Sequence, residues 1–141
     1  MVLTPHAGEL AALLGESVAE VAGSTLQAAR RGAELTGQTV LLKGSSTMVV
    51  APGGETWVIA QGPPQLASAG TGDVLSGCIG ALLATGMPTL EAAKAGAWLH
   101  AEAGRRGAAV YTKGLMAQDV LELLPVVLAE HVFERRPGWS E

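Results

Sequence analysis

The stretch LASAGTGDVLSGCIGALL, Leu66 to Leu83, constrains this chain more than any other. Gly70-Thr71-Gly72-Asp73 stands directly ahead of an uninterrupted apolar helix pattern, so a flexible loop must give way to a helix there. The first N–H groups of a helix have no partner within it, and the macrodipole draws anions to that end. Gly70 and Gly72 carry no Cβ, which lets the backbone turn tightly and approach a bound group closely. A phosphate can rest on such N–H groups. Asp73 would repel that phosphate, yet an acid in this place makes sense as the acceptor of a proton from a hydroxyl undergoing phosphorylation. The same residues also read as a capped helix after a loop, Asp73 then merely complementing the dipole.

From Val74 to Leu83 nearly every position is apolar or small, which predicts a helix buried all round. Gly77 and Gly80 each cost about 1 kcal/mol relative to Ala in a helix interior. They lie near the face of Asp73 and predict a close packing partner on that side.

Upstream, Val2-Leu3 reads as a strand edge ended by Thr4-Pro5, and His6-Ala7-Gly8-Glu9 leads into a short helical stripe closed by Gly15. Ser24 is a candidate N-cap for a helix towards Leu35 that stops at Gly37. The β-type runs Thr39–Leu42, Thr47–Ala51 and Thr56–Ile59 are separated by Lys43-Gly44-Ser45-Ser46 and by Pro52-Gly53-Gly54, which predicts a strand followed by a hairpin. Gln61 to Ser68 is a loop. After Gly86-Met87-Pro88, Thr89 is a candidate cap for a helix from Leu90 to about Arg106, with Trp98 and Leu99 on its apolar side. A last helix near Leu115 to Val132 contains Pro125, which should kink or break it. Residues 134–141 read as a flexible tail, and residues 1–133 as one domain.

Helices alternating with strands predict an α/β layered fold, its sheet mostly parallel, with a β-hairpin and flanking helices. Ligands bind at the carboxyl ends of strands in such folds. Lys43 and the loop before Asp73 both follow β runs, so they should meet at one edge of the sheet.

A chain of 141 residues with 48% hydrophobic and 16% charged residues is globular in composition. The net charge of −4, without a basic stripe, gives nucleic-acid binding no support. An anionic ligand must therefore be held by local N–H groups and a few cationic side chains. Cys78 stands alone, which excludes an internal disulfide, and its apolar surroundings suit a buried thiol. No signal peptide precedes the first strand, and the Val74–Ala84 run is shorter than the ~20 residues of a membrane span. The expectation is a cytoplasmic protein that does not enter membranes.

Lys43, Gly44, Ser45, Ser46 and Thr47 offer a cation, a flexible glycine and three hydroxyls, enough to hold a phosphate or a ribose. The glycine spacing of a Walker A loop is absent, and a solvated hairpin turn is the other reading. His6 and Glu9 follow a strand and can contact a substrate or a hydrated metal, or simply begin a helix. His100 and Glu102 share a helix without sharing a face, and no zinc-type spacing occurs.

Taken together, TPHAGELAALLG (Thr4 to Gly15), LLKGSST (Leu41 to Thr47) and LASAGTGDVLSG (Leu66 to Gly77) resemble one family. It is that of the ADP- or ATP-dependent NAD(P)H-hydrate dehydratases, which have a ribokinase-like fold. The resemblance covers nearly all of this chain but only the carboxyl-terminal half of the family domain. It implies repair of NAD(P)H hydrated on its nicotinamide ring (NAD(P)HX), with ADP or ATP consumed and Mg²⁺ as cofactor. Phosphorylating the misplaced hydroxyl would turn a poor leaving group into phosphate. The resemblance makes Asp73 the catalytic base and a substrate contact, and His6 a second substrate contact. Lys43, Gly44, Ser45, Ser46, Thr47, Gly70, Thr71 and Gly72 become the nucleotide site, and Glu9 a group that orients a metal-bound water. Pro63-Pro64 departs from the family's Asn-Pro. A half-length chain would leave one sheet edge unpaired, and a homo-oligomer is one way to cover it. A ribokinase-like kinase for a small alcohol or vitamin precursor, and a nucleotide-binding fragment without turnover, are the alternatives.

Overall fold

Strand β2, Thr39–Leu42, is buried at every position, because helices cover it on both faces. Around it a computed structural model describes residues 1–60 and 62–133. The expected tail, 134–141, lies outside the described residues. Strand β1 (Val2–Leu3) leads through helices α1 (Ala7–Leu14), α2 (Val18–Gly23) and α3 (Thr25–Thr36) to β2, and β3 (Thr47–Val50) and β4 (Thr56–Ile59) follow. A single 3-10 turn, Pro64–Ala67, precedes α4 (Thr71–Ala84), α5 (Thr89–Val110) and α6 (Ala117–Phe133). No helix among the described residues is long and apolar enough to cross a membrane.

The strands form one sheet in the order β1-β2-β3-β4. β1 and β2 pair in parallel, whereas β2–β3 and β3–β4 pair antiparallel. The sheet is therefore mixed, and the expectation of a mostly parallel one is corrected. Only the β1–β2 connection is long enough for a crossover; the turns at 43–46 and 51–55 can join only antiparallel neighbours.

Alternation along the strands splits the core in two. Val40, Leu42 and Val50 pack with Leu10, Val21, Ala29 and Ala33 beneath α1–α3. Leu41 and Val49 pack on the other face with Leu75, Ile79, Ala93 and Ala97 of α4 and α5. A third cluster, including Leu99, Leu115, Val120 and Val127, joins α5 to α6. Glycine lets α5 cross close over α4: a Cβ on Gly96 of α5 would fall 2.5 Å from Ile79.

The caps explain several boundaries. Gly15 and Gly37 end α1 and α3 in the left-handed conformation, at φ 69° and 64°. Helix α2 starts with a capping box, the Glu20 N–H donating to Ser17 Oγ and the Ser17 N–H to Glu20 Oε2. Ser24 does occupy the N-cap position of α3, but its side chain donates back to Glu20 O instead of capping. Pro88, not Thr89, precedes α5, and Thr89 lies inside the helix. Helix α6 runs through Pro125 unbroken.

Helix α4 corrects a second expectation. Only Thr71, Leu75 and Ile79 are buried, a stripe at four-residue spacing facing the sheet and α5. Asp73, Ser76, Gly77, Gly80 and Ala84 are exposed, and a Cβ on Gly77 or Gly80 would meet nothing within 4 Å. Small residues give such a helix an apolar look on every side, so its sequence alone cannot reveal an open face.

Candidate functional site

Because β4 runs parallel to β1 and β2, all three strands end at the same sheet edge, where β3 begins. That edge collects every segment singled out above. The Lys43 N–H donates to the Pro5 carbonyl at 2.9 Å, placing the 43–47 turn against the start of α1. The loop after β4 returns through the Pro64–Ala67 turn to the N-terminus of α4. Between them lies a cleft of about 620 Å³. His6, Lys43, Gly44, Ser45 and Thr47 line one side, Thr71 and Gly72 another, and Ile59, Pro63, Leu66, Ala97 and Ala101 make an apolar wall.

Gly70, at φ 84°, turns the chain into α4. The Thr71 hydroxyl faces inward and donates to the carbonyls of Leu66 and Ser68 at 2.6 and 2.9 Å, so it stabilises the loop. The Asp73 and Val74 N–H groups both donate to the Gly70 carbonyl, at 3.1 and 3.2 Å. The Gly72 N–H has no acceptor among the described residues. Lys43 reaches over it: a Cβ on Gly72 would lie 3.3 Å from Lys43 Nζ. A free helix-end N–H and an ammonium thus converge where an anion is best stabilised.

The start of α1 adds a second layer. His6 Nδ1 accepts the Glu9 N–H at 3.1 Å, and the His6 N–H donates to Glu9 Oε2 at 2.7 Å. This is a capping box built with an imidazole. The His6 backbone N–H, helped by the charge of Lys43, holds the Glu9 carboxyl below its usual range. Glu9 Oε2 is 3.8 Å from Lys43 Nζ. Among the described residues no three His, Cys, Asp or Glu side chains gather as a cation site.

Asp73, Ser46 and Gly70 do not line the cleft. Asp73 is exposed on the first turn of α4. It shares its side of the helix with Ser76, whose hydroxyl is 3.1 Å from the Thr4 hydroxyl at the end of β1. The helix end therefore separates the cleft, on one side, from Asp73 and the end of β1 on the other.

Sequence reasoning weighed His100 only with Glu102 as a metal pair and did not place it at this site. The residue is 8% exposed and lines the cleft, and its Nε2 lies 2.9 Å from the Thr71 carbonyl. Burial pushes its pKa down, against the opposing effect of the Thr71 bond, and so favours the neutral imidazole. The run Ala93, Ala97, His100, Ala101 and Gly104 at helical spacing was the available clue. A second hollow, of about 520 Å³, lies between β4 and α5, where Lys94 Nζ sits 3.9 Å from the Trp57 ring centroid.

Comparison with known proteins gives the chain its family and its fold. Residues 1–126 match the family model for NAD(P)H-hydrate dehydratase. The chain is 46% identical over 122 residues to an ADP-dependent (S)-NAD(P)H-hydrate dehydratase of Neisseria meningitidis, covering 85% of this chain and 41% of that one. It is 40% identical over 135 residues to the bifunctional NAD(P)H-hydrate repair enzyme Nnr of Escherichia coli, covering 95% of this chain and 26% of that one. In structure it is similar to the ADP/ATP-dependent NAD(P)H-hydrate dehydratase of Bacillus subtilis co-crystallized with ATP/Mg²⁺. The TM-score is 0.82 at 29% identity, over 92% of this chain and 47% of that one. The chain thus spans less than half the length of each of these relatives. The matches fall on a ribokinase-like α/β fold, and by the family model this chain belongs to the NAD(P)H-hydrate dehydratase family.

Proposed function

We propose that this chain supplies the nucleotide side of an enzyme that dehydrates NAD(P)HX back to NAD(P)H and consumes ADP or ATP. The observation that carries this reading is the ammonium of Lys43 lying over Gly72, whose N–H has no acceptor among the described residues. Lys43 and Gly72 hold the phosphates. Gly44, Ser45 and Thr47 complete the nucleotide site with the backbone of Thr71, and Ser46 and Gly70, which do not line the cleft, shape the turn and the helix start that carry them. The apolar wall of the cleft takes the base.

Phosphoryl transfer then runs past the end of α4, away from the cleft. Asp73 accepts the proton of the ring hydroxyl, and the freed oxygen attacks the terminal phosphorus of the nucleotide, breaking its bond to the bridging oxygen so that AMP leaves from ADP, or ADP from ATP. Lys43 and the Gly72 N–H stabilise the charge that develops on the transferred group. Phosphate then leaves with the electrons of its C–O bond while the adjacent ring carbon gives up a proton to the departing phosphate or to water, restoring the double bond. His6, at the mouth of the cleft, contacts the hydrated dinucleotide.

With no cage of carboxylates or imidazoles among the described residues, Mg²⁺ fits only as an ion carried on the nucleotide phosphates. Glu9, whose carboxylate lies 3.8 Å from the Lys43 ammonium, would orient a water of its shell. Bound there, the ion would neutralise phosphate charge. The reading includes a cytoplasmic setting and a homo-oligomer.

The test follows the near-ultraviolet absorbance of the dihydronicotinamide regained from hydrated NADH in the presence of ADP or ATP with Mg²⁺. Asp73→Asn is expected to slow turnover by roughly 10²–10⁴, the usual cost of losing a general base, with ADP affinity kept. Full turnover in that variant would remove Asp73 from its role. A stable phosphorylated product would instead indicate a kinase, and ADP binding without regained absorbance a nucleotide-binding segment that does not turn over alone.

A further inference from the structure

Helix α5 grips the loop that leads into α4 at two points one turn apart. At Gly104 an added Cβ would fall 2.6 Å from the Leu66 side chain, so the helix backbone itself seats Leu66. At His100 the ring nitrogen Nε2 meets the Thr71 carbonyl at 2.9 Å. A carbonyl oxygen only accepts, so Nε2 carries the hydrogen. Between these points the Thr71 hydroxyl ties back to the Leu66 and Ser68 carbonyls. The loop is closed on itself and fastened to α5 at both ends.

The Thr71 carbonyl and the Gly72 N–H belong to one peptide unit, which is planar and trans. Whatever fixes the direction of that oxygen fixes the direction of that N–H. A hydrogen bond donated to the oxygen also polarises the unit and strengthens its N–H as a donor. We propose that His100 is a positioning residue for the phosphate site, acting through the Thr71–Gly72 peptide to aim and strengthen the Gly72 N–H. This rests on reading Gly72 and Lys43 as the site of the nucleotide phosphates. His100 touches neither phosphate nor reacting atom in this account.

The test compares the full chain with His100→Leu and His100→Gln, using ADP and adenosine as probes and the Gly72 amide NMR signal as a local reporter. His100→Leu is expected to weaken ADP binding about tenfold or more, the order of one lost hydrogen bond to a charged group, and to shift the Gly72 amide. Adenosine binding is expected to stay within about twofold, because the base wall is untouched, and the carboxamide of Gln to recover most of the ADP affinity. Unchanged ADP binding in folded His100→Leu overturns the proposal. So does an equal loss for ADP and adenosine, which would mean general damage or direct contact with the base. Should His100→Leu fail to fold, the imidazole nitrogen signal of the wild-type chain decides: it must move when ADP saturates the site, and a signal that stays put overturns the proposal. If the wild-type chain binds no ADP, the nucleotide reading fails by itself. The Gly72 amide then decides the positioning role alone, supporting it if His100→Leu moves the signal and overturning it if not.

Discussion

Gly72→Ala separates folding from binding. Gly72 is helical and is not among the glycines with positive φ, so alanine adopts its backbone without strain. In a helix that exchange stabilises by up to about 1 kcal/mol, and by less in the first turn. The new methyl would sit 3.3 Å from Lys43 Nζ and 3.9 Å from its Cδ. Optimal non-bonded contact is about 3.5–4.0 Å, so the ammonium must withdraw by a few tenths of an ångström. The methyl also fills the space that a phosphate held by Lys43 and the Gly72 N–H would occupy. A charge pair near 4 Å is worth about 1 kcal/mol in water and about 4 kcal/mol at an effective dielectric near 20. Part of that, together with one charge-assisted hydrogen bond of about 1.5–3 kcal/mol, gives a loss of about 2–3 kcal/mol, or roughly 30- to 150-fold in Kd. Titration calorimetry with ADP and thermal melts at one salt concentration measure both quantities. Gly70→Ala is the comparator. With φ at +84° and a methyl 3.1 Å from Ala117 Cβ, it should lower stability by about 1–2 kcal/mol. ADP affinity unchanged in Gly72→Ala, or a melt as damaged as that of Gly70→Ala, would refute the reasoning.

Other consequences concern the scaffold. Glu102 has a side chain 9% exposed, held at about 2 by Arg105 and then Arg106, against an ordinary 4.5. Its pairing stabilises the fold above the ordinary value and is lost as pH falls from there towards 2, a contribution of about 2 kcal/mol. Denaturant melts across that range should show a fall that Glu102→Gln flattens, and an unaltered acid limb would count against it. Gly77→Ala and Gly80→Ala should each raise stability by up to about 1 kcal/mol, since their Cβ positions are open. A large loss in either melt would show that this face is covered in solution. Burial pushes the Cys78 thiol up, so iodoacetamide should react with it far more slowly at neutral pH than with a free thiol; rapid labelling would contradict that.

The gathering of Lys43, His6 and Gly72 at one edge was legible because each follows a β run, and strand direction carries their loops to the same side. Gly15 and Gly37 were legible for a different reason: left-handed helix ends favour residues without a Cβ. What escaped were properties that depend on neighbours. Helix α2 has too few residues to show a stripe, although Ser17 and Glu20 carried a capping-box pattern that could have marked it. The open face of α4 was hidden because Gly, Ala and Ser look the same against a partner as against solvent. The inward turn of the Thr71 hydroxyl, and the hold of His100 on the Thr71 carbonyl, depend on how α5 crosses the loop, which local pattern does not encode.

The central claim is that the turn after β2 and the start of α4 form one phosphate site. A backbone amide NMR titration of the full chain with ADP tests it most directly. The account predicts the largest shifts at Lys43, Gly44, Thr71 and Gly72, saturating together with a single Kd. Shifts centred on Trp57, Lys94 and Trp98, or none at saturating ADP, would contradict it.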